Sequence, residues 1–315
     1  MALPIDSFIE RGGRPHNERS LHGRFDRLIV DVATIPGIGI GGRGQSSFRR
    51  AGAAATHVGE QEQIYAGGII RAEALMYYQR HAPEKLAASS GKLTDKLYKE
   101  YNQRYRRMTD EELDRQVATN VVDALQGLIT QGDPYPIVFL DSKIAPLLGL
   151  HSLIKIPGFN PLKTAFLHVA VYTEDEIANE RRLAKELADY NPAVTTSEPP
   201  TLSSVREDNE QRLNLDRQKY EQAYSRFVMP FSAQHVAESV HYIVDTTEFK
   251  PNEQFAGVLQ ALWEDNPALA SFIVRGMSYR VSPVGKAMRR ATARRAYPRR
   301  TLQPLPASRP GVSLR

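Results

Sequence analysis

Residues 136–140, Pro-Ile-Val-Phe-Leu, and residues 165–172, Ala-Phe-Leu-His-Val-Ala-Val-Tyr, decide how this chain is read. Both are short apolar runs rich in β-branched and aromatic side chains. Turn formers bound them, Pro157-Gly158 and Asn160-Pro161 among others. That is the pattern of strands buried on both faces.

Helical patterns surround them. Ile64, Ile69, Ile70, Ala74, Leu75 and Tyr77 recur at helical spacing, and a second helix is expected over 93–108. Thr109 and Glu112 have capping-box spacing, and the helix behind them presents Leu113, Val117, Val121, Leu125 and Leu128 as one stripe. Gly132 is placed to end it. Thr173 and Glu176 predict a second capping box, opening a charged helix to about Tyr190. Further helices are expected over 204–228, 232–245, 252–265 and 267–277.

The expected fold is therefore α+β: a predominantly helical body with a few short strands, flanked by long irregular N-terminal and C-terminal arms. A Gly/Arg-rich N-terminal arm covers 1–59, with Leu28-Ile29-Val30-Asp31-Val32 as its one structured element. A body of helices and short strands covers 60–190. Residues 191–203 form a Pro-rich linker or loop, 204–281 a helical region, and 282–315 a basic, extended C-terminal arm.

Composition excludes several classes of function. The 315 residues are 41% apolar and 24% charged, as in a globular chain, and include no cysteine. A disulfide framework, a thiolate zinc site and a cysteine nucleophile are thus ruled out. The N-terminus has no apolar core of a secretory signal, and no apolar window is long enough to span a bilayer, so no membrane insertion is expected and the place of residence reads as a virion or the cytoplasm.

The net charge of +5 hides an asymmetry. Residues 266–315 hold eleven Arg or Lys and no acid, which leaves 30 basic against 36 acidic residues in 1–265, a body of about −6. Within the tail, Arg289-Arg290, Arg294-Arg295 and Arg299-Arg300 are pairs at a five-residue interval. On a helix that interval would spiral around the axis. On an extended chain the pairs fall about 17 Å apart, able to track successive phosphates. Lys286 adds a further cation and Tyr297 a ring that can stack on a base. Arg43, Arg49 and Arg50 form a second basic cluster. Tyr98, Tyr101 and Tyr105 interleave with Arg104, Arg106 and Arg107, but their i, i+3, i+7 spacing reads first as a packing stripe.

One motif points elsewhere. Gly39-x4-Gly44-Gln45-Ser46 has Walker A spacing and follows a strand, and Ile137-Val138-Phe139-Leu140-Asp141 has the form of a Walker B strand. A phosphate-binding loop uses Lys to reach the β- and γ-phosphates. Here that position is Gln45, and the ninety-odd residues between the two elements show no obvious strand. A flexible Gly-rich arm is the plainer reading. Glu238 and His241 share a predicted helix face, but no second Glu-x-x-His exists to complete a metal site. His168, in an apolar run, reads as a hydrogen-bonded core histidine.

No catalytic residues, metal site or cofactor are expected from these patterns. The leading expectation is a non-enzymatic structural or assembly protein of a nucleoprotein particle, a virion or phage component. Its partners are nucleic acid, met by the basic arm, and copies of itself or other particle subunits. The alternatives are a nucleotide-dependent enzyme with a degenerate P-loop-like segment, and a monomeric nucleic-acid-binding regulator.

Overall fold

A computed structural model of the protein describes residues 25–35, 43–141, 153–190, 198–223, 240–247 and 250–287. Its centre is β1, Arg27–Ile35. Leu28, Ile29, Val30 and Val32 are all essentially buried, so this strand carries apolar side chains on both faces and needs a layer on each. β2 (Gln63–Tyr65), β3 (Ile137–Asp141), β4 (Thr164–Tyr172) and β5 (Tyr242–Asp245) join it in one sheet of order β2-β3-β1-β4-β5. All four pairings are parallel, with Val32 opposite Asp141 and Ile35 opposite Tyr172.

Parallel neighbours require crossovers, and here helices supply them. α1 (Gln45–Ala55) follows β1, and α2 (Ala66–His81), α3 (Pro83–Ala88), α4 (Asp95–Glu100) and α5 (Asp110–Thr130) lie between β2 and β3. α6 (Asp175–Asp189) and α7 (Leu202–Ala223) follow β4, and α8 (Pro251–Asp265) and α9 (Pro267–Val281) follow β5.

The alternation of strand side chains divides the core in two. Leu28, Val30, Val32, Phe139, Leu167 and Val169 pack against Phe48 of α1, Phe255 and Leu262 of α8, and Ile273 of α9. On the opposite face, Ile29, Val138, Leu140 and Phe166 pack against Val121, Val122, Leu125 and Leu128 of α5. Burying each such side chain contributes about 1.5–3 kcal/mol, so the sheet is the main source of stability. A third cluster, with Ile70, Tyr78, Leu86, Tyr101 and Leu113, binds α2 to α5 into a helical layer at the β2 end.

The fold is thus the helix-dominated α+β body the patterns imply, with several local departures. The segment read as an N-terminal arm supplies the central strand and α1. Glycine at 52 is what lets α1 come close: a Cβ there would stand 2.7 Å from the Phe139 ring and 2.8 Å from that of Phe255. Ile64 belongs to β2 and not to a helix, so the interval between β1 and β3 does contain a parallel strand. Tyr242–Asp245, expected as the end of a helix, is the edge strand β5; residues 232–239 lie outside the described residues. The helix expected over 93–108 is α4 followed by a π-helical turn, Tyr101–Tyr105.

The Thr109–Glu112 capping box forms, with Glu112 N–H donating to Thr109 Oγ1 at 3.2 Å and Thr109 N–H to Glu112 Oε2 at 2.8 Å. The expected box at Thr173 does not. Glu174 is the N-cap of α6 and offers no side-chain bond, because the Thr173 hydroxyl is turned toward Arg43.

Candidate functional site

The carboxyl ends of all five strands lie along one edge of the sheet, because the pairing is parallel throughout. β1 leads across β3 to β2, and β4 leads the other way to β5. The chain therefore diverges above the carboxyl ends of β1 and β4, where open α/β sheets form their ligand crevices.

After β1 the described chain resumes at Arg43 and Gly44. Gly44 is the N-cap of α1 with φ 82° and ψ 0°, a left-handed conformation that glycine adopts without strain. Its carbonyl accepts from the Ser47 and Phe48 N–H groups at 3.0 and 2.8 Å, which starts the helix. α1 has no side-chain cap and no acidic residue in its first turn. Its N-terminal dipole is therefore not offset by a carboxylate of its own helix.

Arg43 fastens the approach to that turn. It is 2% exposed. Its Nη1 donates to the Thr173 carbonyl at 2.7 Å, and its Nη2 meets Asp175 of α6. The Arg43 carbonyl in turn accepts from the hydroxyls of Thr173 (3.1 Å) and Thr246 (2.9 Å), which stand immediately after β4 and β5. Two segments distant in sequence, 173–175 and Thr246, thus fix one residue of the turn.

The first turn of α1 faces β3. Ser46 Oγ donates to Asp141 Oδ2 at 3.0 Å, a bond between residues 95 apart in sequence. Gln45 Nε2 donates back to the Val32 carbonyl of β1 at 2.6 Å. One turn further, Arg49 is 4% exposed. Its Nη1 donates to Gln63 Oε1 at 2.7 Å, its guanidinium lies over the Tyr65 ring at 4.6 Å, and its Nε stands 3.6 Å from Asp141 Oδ2. Burial pushes the Arg49 pKa down and the facing Asp141 opposes that shift. Arg keeps its proton in any case, since its ordinary value lies far above neutrality.

Ser46 and Asp141 have the chemistry of the hydroxyl and carboxylate that hold magnesium in a phosphate-binding loop. They do not fit that role as they stand. The same oxygen, Asp141 Oδ2, both accepts from Ser46 and faces the Arg49 cation. Magnesium demands near-octahedral oxygens and retains several waters, whereas the Asp141 side chain is only 11% exposed. Among the described residues no group of three or more His, Asp or Glu is placed to hold a metal ion.

The other expected site residues are dispersed. Of the second basic cluster, only Arg50 is exposed, with its Nε on the Ser46 carbonyl at 3.1 Å. Lys286 is exposed on a helical turn spanning 283–287, next to α9. Arg289, Arg290, Arg294, Arg295, Tyr297, Arg299 and Arg300 lie outside the described residues. Arg280, one of the eleven tail cations, is a core residue at 2% exposure, pinned to the Tyr135 carbonyl and to Asp133. Tyr101 and Tyr105 are spent on packing against Tyr77, and the Arg71 guanidinium lies over the Tyr98 ring at 4.5 Å. No helix among the described residues is long and apolar enough to cross a membrane.

Gln63, Tyr65 and Thr246 belong to the site although no sequence motif marks them, and Thr173 belongs to it although its motif marks a helix cap. Their common signal is position: Tyr65 ends β2, Gln63 begins the same three-residue strand, and each threonine directly follows a strand. No protein-family model and no curated protein matches the chain.

Proposed function

We propose that the chain is a nucleotide-dependent enzyme that receives the phosphates of a nucleoside polyphosphate at the N-terminus of α1. The observation that carries this reading is the Ser46–Asp141 hydrogen bond. It joins the first turn of the helix after β1 to the carboxyl end of β3, so that Gly44, a helix N-terminus and an acidic strand end lie together. A helix N-terminus presents N–H groups and a partial positive charge of about half a unit to an anion. Gly44 removes the side chain that would block close approach. The supporting topology is the divergence of the chain above β1 and β4.

The chemistry that suits this arrangement is phosphoryl transfer, in which positioning and charge stabilisation supply most of the catalysis. Calorimetric titration of the full chain with ATP and GTP tests the reading. Saturable binding is expected, weakened about tenfold by Ser46→Ala, the loss of one hydrogen bond beside a charged ligand. Absence of binding at millimolar nucleotide would refute it.

The cationic tail is a separable element under this reading. Its charge supports a polyanion contact of residues 286–300 that is independent of the α1 site. The particle-assembly reading rests on that charge pattern.

A further inference from the structure

The nucleotide reading leaves one problem of charge. A polyphosphate on α1 brings several negative charges, Asp141 adds another, and the lysine that would balance them is Gln45, turned back onto β1. The cation nearest Asp141 within the site is Arg49. It is held from three sides, by Gln63 Oε1, the Tyr65 ring and Asp141. Its Nε–H makes no short hydrogen bond but faces Asp141 Oδ2 at 3.6 Å, in a residue almost wholly buried. A buried guanidinium whose Nε stands 3.6 Å from Asp141 Oδ2 is a fixed positive charge set against that carboxylate.

Resting on that reading, we propose that Arg49 is the resident counter-charge of the site, replacing both the loop lysine and the divalent cation, so that nucleotide binds without metal. Ser46 is engaged with Asp141, and Asp141 with this guanidinium. A dication bridging them would have to displace the Ser46 hydrogen from Asp141 Oδ2 and sit beside a charge of its own sign. Arg49 also fixes how much negative charge the phosphates meet, because Asp141 is already neutralised when they arrive. Gln63 and Tyr65 act as positioning residues that hold the guanidinium over the carboxyl end of β3.

The test is ATP binding by calorimetry on the full chain, in EDTA and in excess magnesium. The wild type is expected to bind with the same affinity in both media. Arg49→Gln is expected to lose about tenfold or more in EDTA, because Asp141 is left with its charge uncompensated beside the phosphates, and to recover part of it with magnesium. Arg49→Lys, which keeps the charge, is expected to retain metal-free binding. Circular dichroism of each variant separates loss of binding from loss of fold. Wild-type binding that requires magnesium overturns this proposal and leaves the nucleotide reading standing. So does metal-free binding by a folded Arg49→Gln as tight as the wild type. No binding by the wild type in either medium overturns both.

Discussion

Asp31 and His168 stand opposite each other on β1 and β4, with Asp31 Oδ2 3.1 Å from His168 Nδ1. Both are buried in the middle of the sheet. The His168 ring stacks on Phe166 and on His241, whose Nδ1 accepts from the His168 N–H at 2.9 Å. Asp31 Oδ1 is buried without a hydrogen-bond partner. This polar ladder runs from β1 across β4 to the residue just before β5. Asp31→Ala is expected to destabilise the fold by about 2–4 kcal/mol, since it strands a buried imidazole. Asp31→Asn, which keeps an oxygen in place, should cost less. Urea denaturation followed by circular dichroism measures both. An Asp31→Ala change within about 0.5 kcal/mol, the range of ordinary surface substitutions, would show that the pair contributes nothing.

Gly52 tests the packing of α1. Ala is the better helix former by about 1 kcal/mol. Against that, its Cβ would meet the buried rings of Phe139 and Phe255 at less than 3 Å. Overpacking of this kind costs about 1–3 kcal/mol. Gly52→Ala is therefore expected to be destabilising on balance, and Gly52→Val more so. A raised melting temperature for Gly52→Ala would mean that the rings yield without strain.

Gln45→Lys asks whether the α1 site is a phosphate site lacking its usual lysine. The substitution gives up the Gln45 hydrogen bond to the Val32 carbonyl, a loss of about 1 kcal/mol in stability. In return it places an ammonium at the helix N-terminus, where a phosphate would receive it. ATP affinity is expected to rise about tenfold. Weaker ATP binding by a folded Gln45→Lys would argue that the anion does not lie over this residue.

The cationic tail is tested by truncation. The helical turn spanning 283–287 is joined to α9, with Lys286 N–H donating to the Ser282 carbonyl at 3.0 Å. Removing residues 289–315 leaves that turn intact. The truncated chain is expected to keep its thermal stability and to lose most of its polynucleotide affinity. The slope of log affinity against log salt should fall by roughly 0.7–0.9 for each phosphate contact removed. Unchanged polynucleotide binding would place the contact on the body.

What the sequence reveals of this fold tracks how local each signal is. β3 and β4 are legible because runs of buried apolar side chains mark them, and the Thr109–Glu112 cap because both partners lie within one turn. β2 and β5 escape notice because three and four residues are too few to show a period. They are strands by virtue of their neighbours. The segment that holds α1, rich in Gly and Arg, reads as an arm until Phe48 is seen against Phe255. The candidate site is legible as the spacing of Gly39, Gly44 and Ser46 and as the acid ending β3. That these two motifs meet depends on strand order, which no short-range pattern encodes. Thr173 shows the converse, a local capping signal overridden by a distant partner, Arg43.

The parallel pairing of β1 with β4 has a consequence for synthesis. The two residues of the Asp31–His168 pair are 137 positions apart. At about 5–20 residues per second, a ribosome needs roughly 7–27 s to make that intervening chain. Through that interval β1 has no partner along one edge and presents an apolar strand able to pair with other nascent chains. The strand made first is thus the one that waits longest for its partners. Its yield in cells should depend more on chaperone capacity during translation than on the stability of the finished sheet.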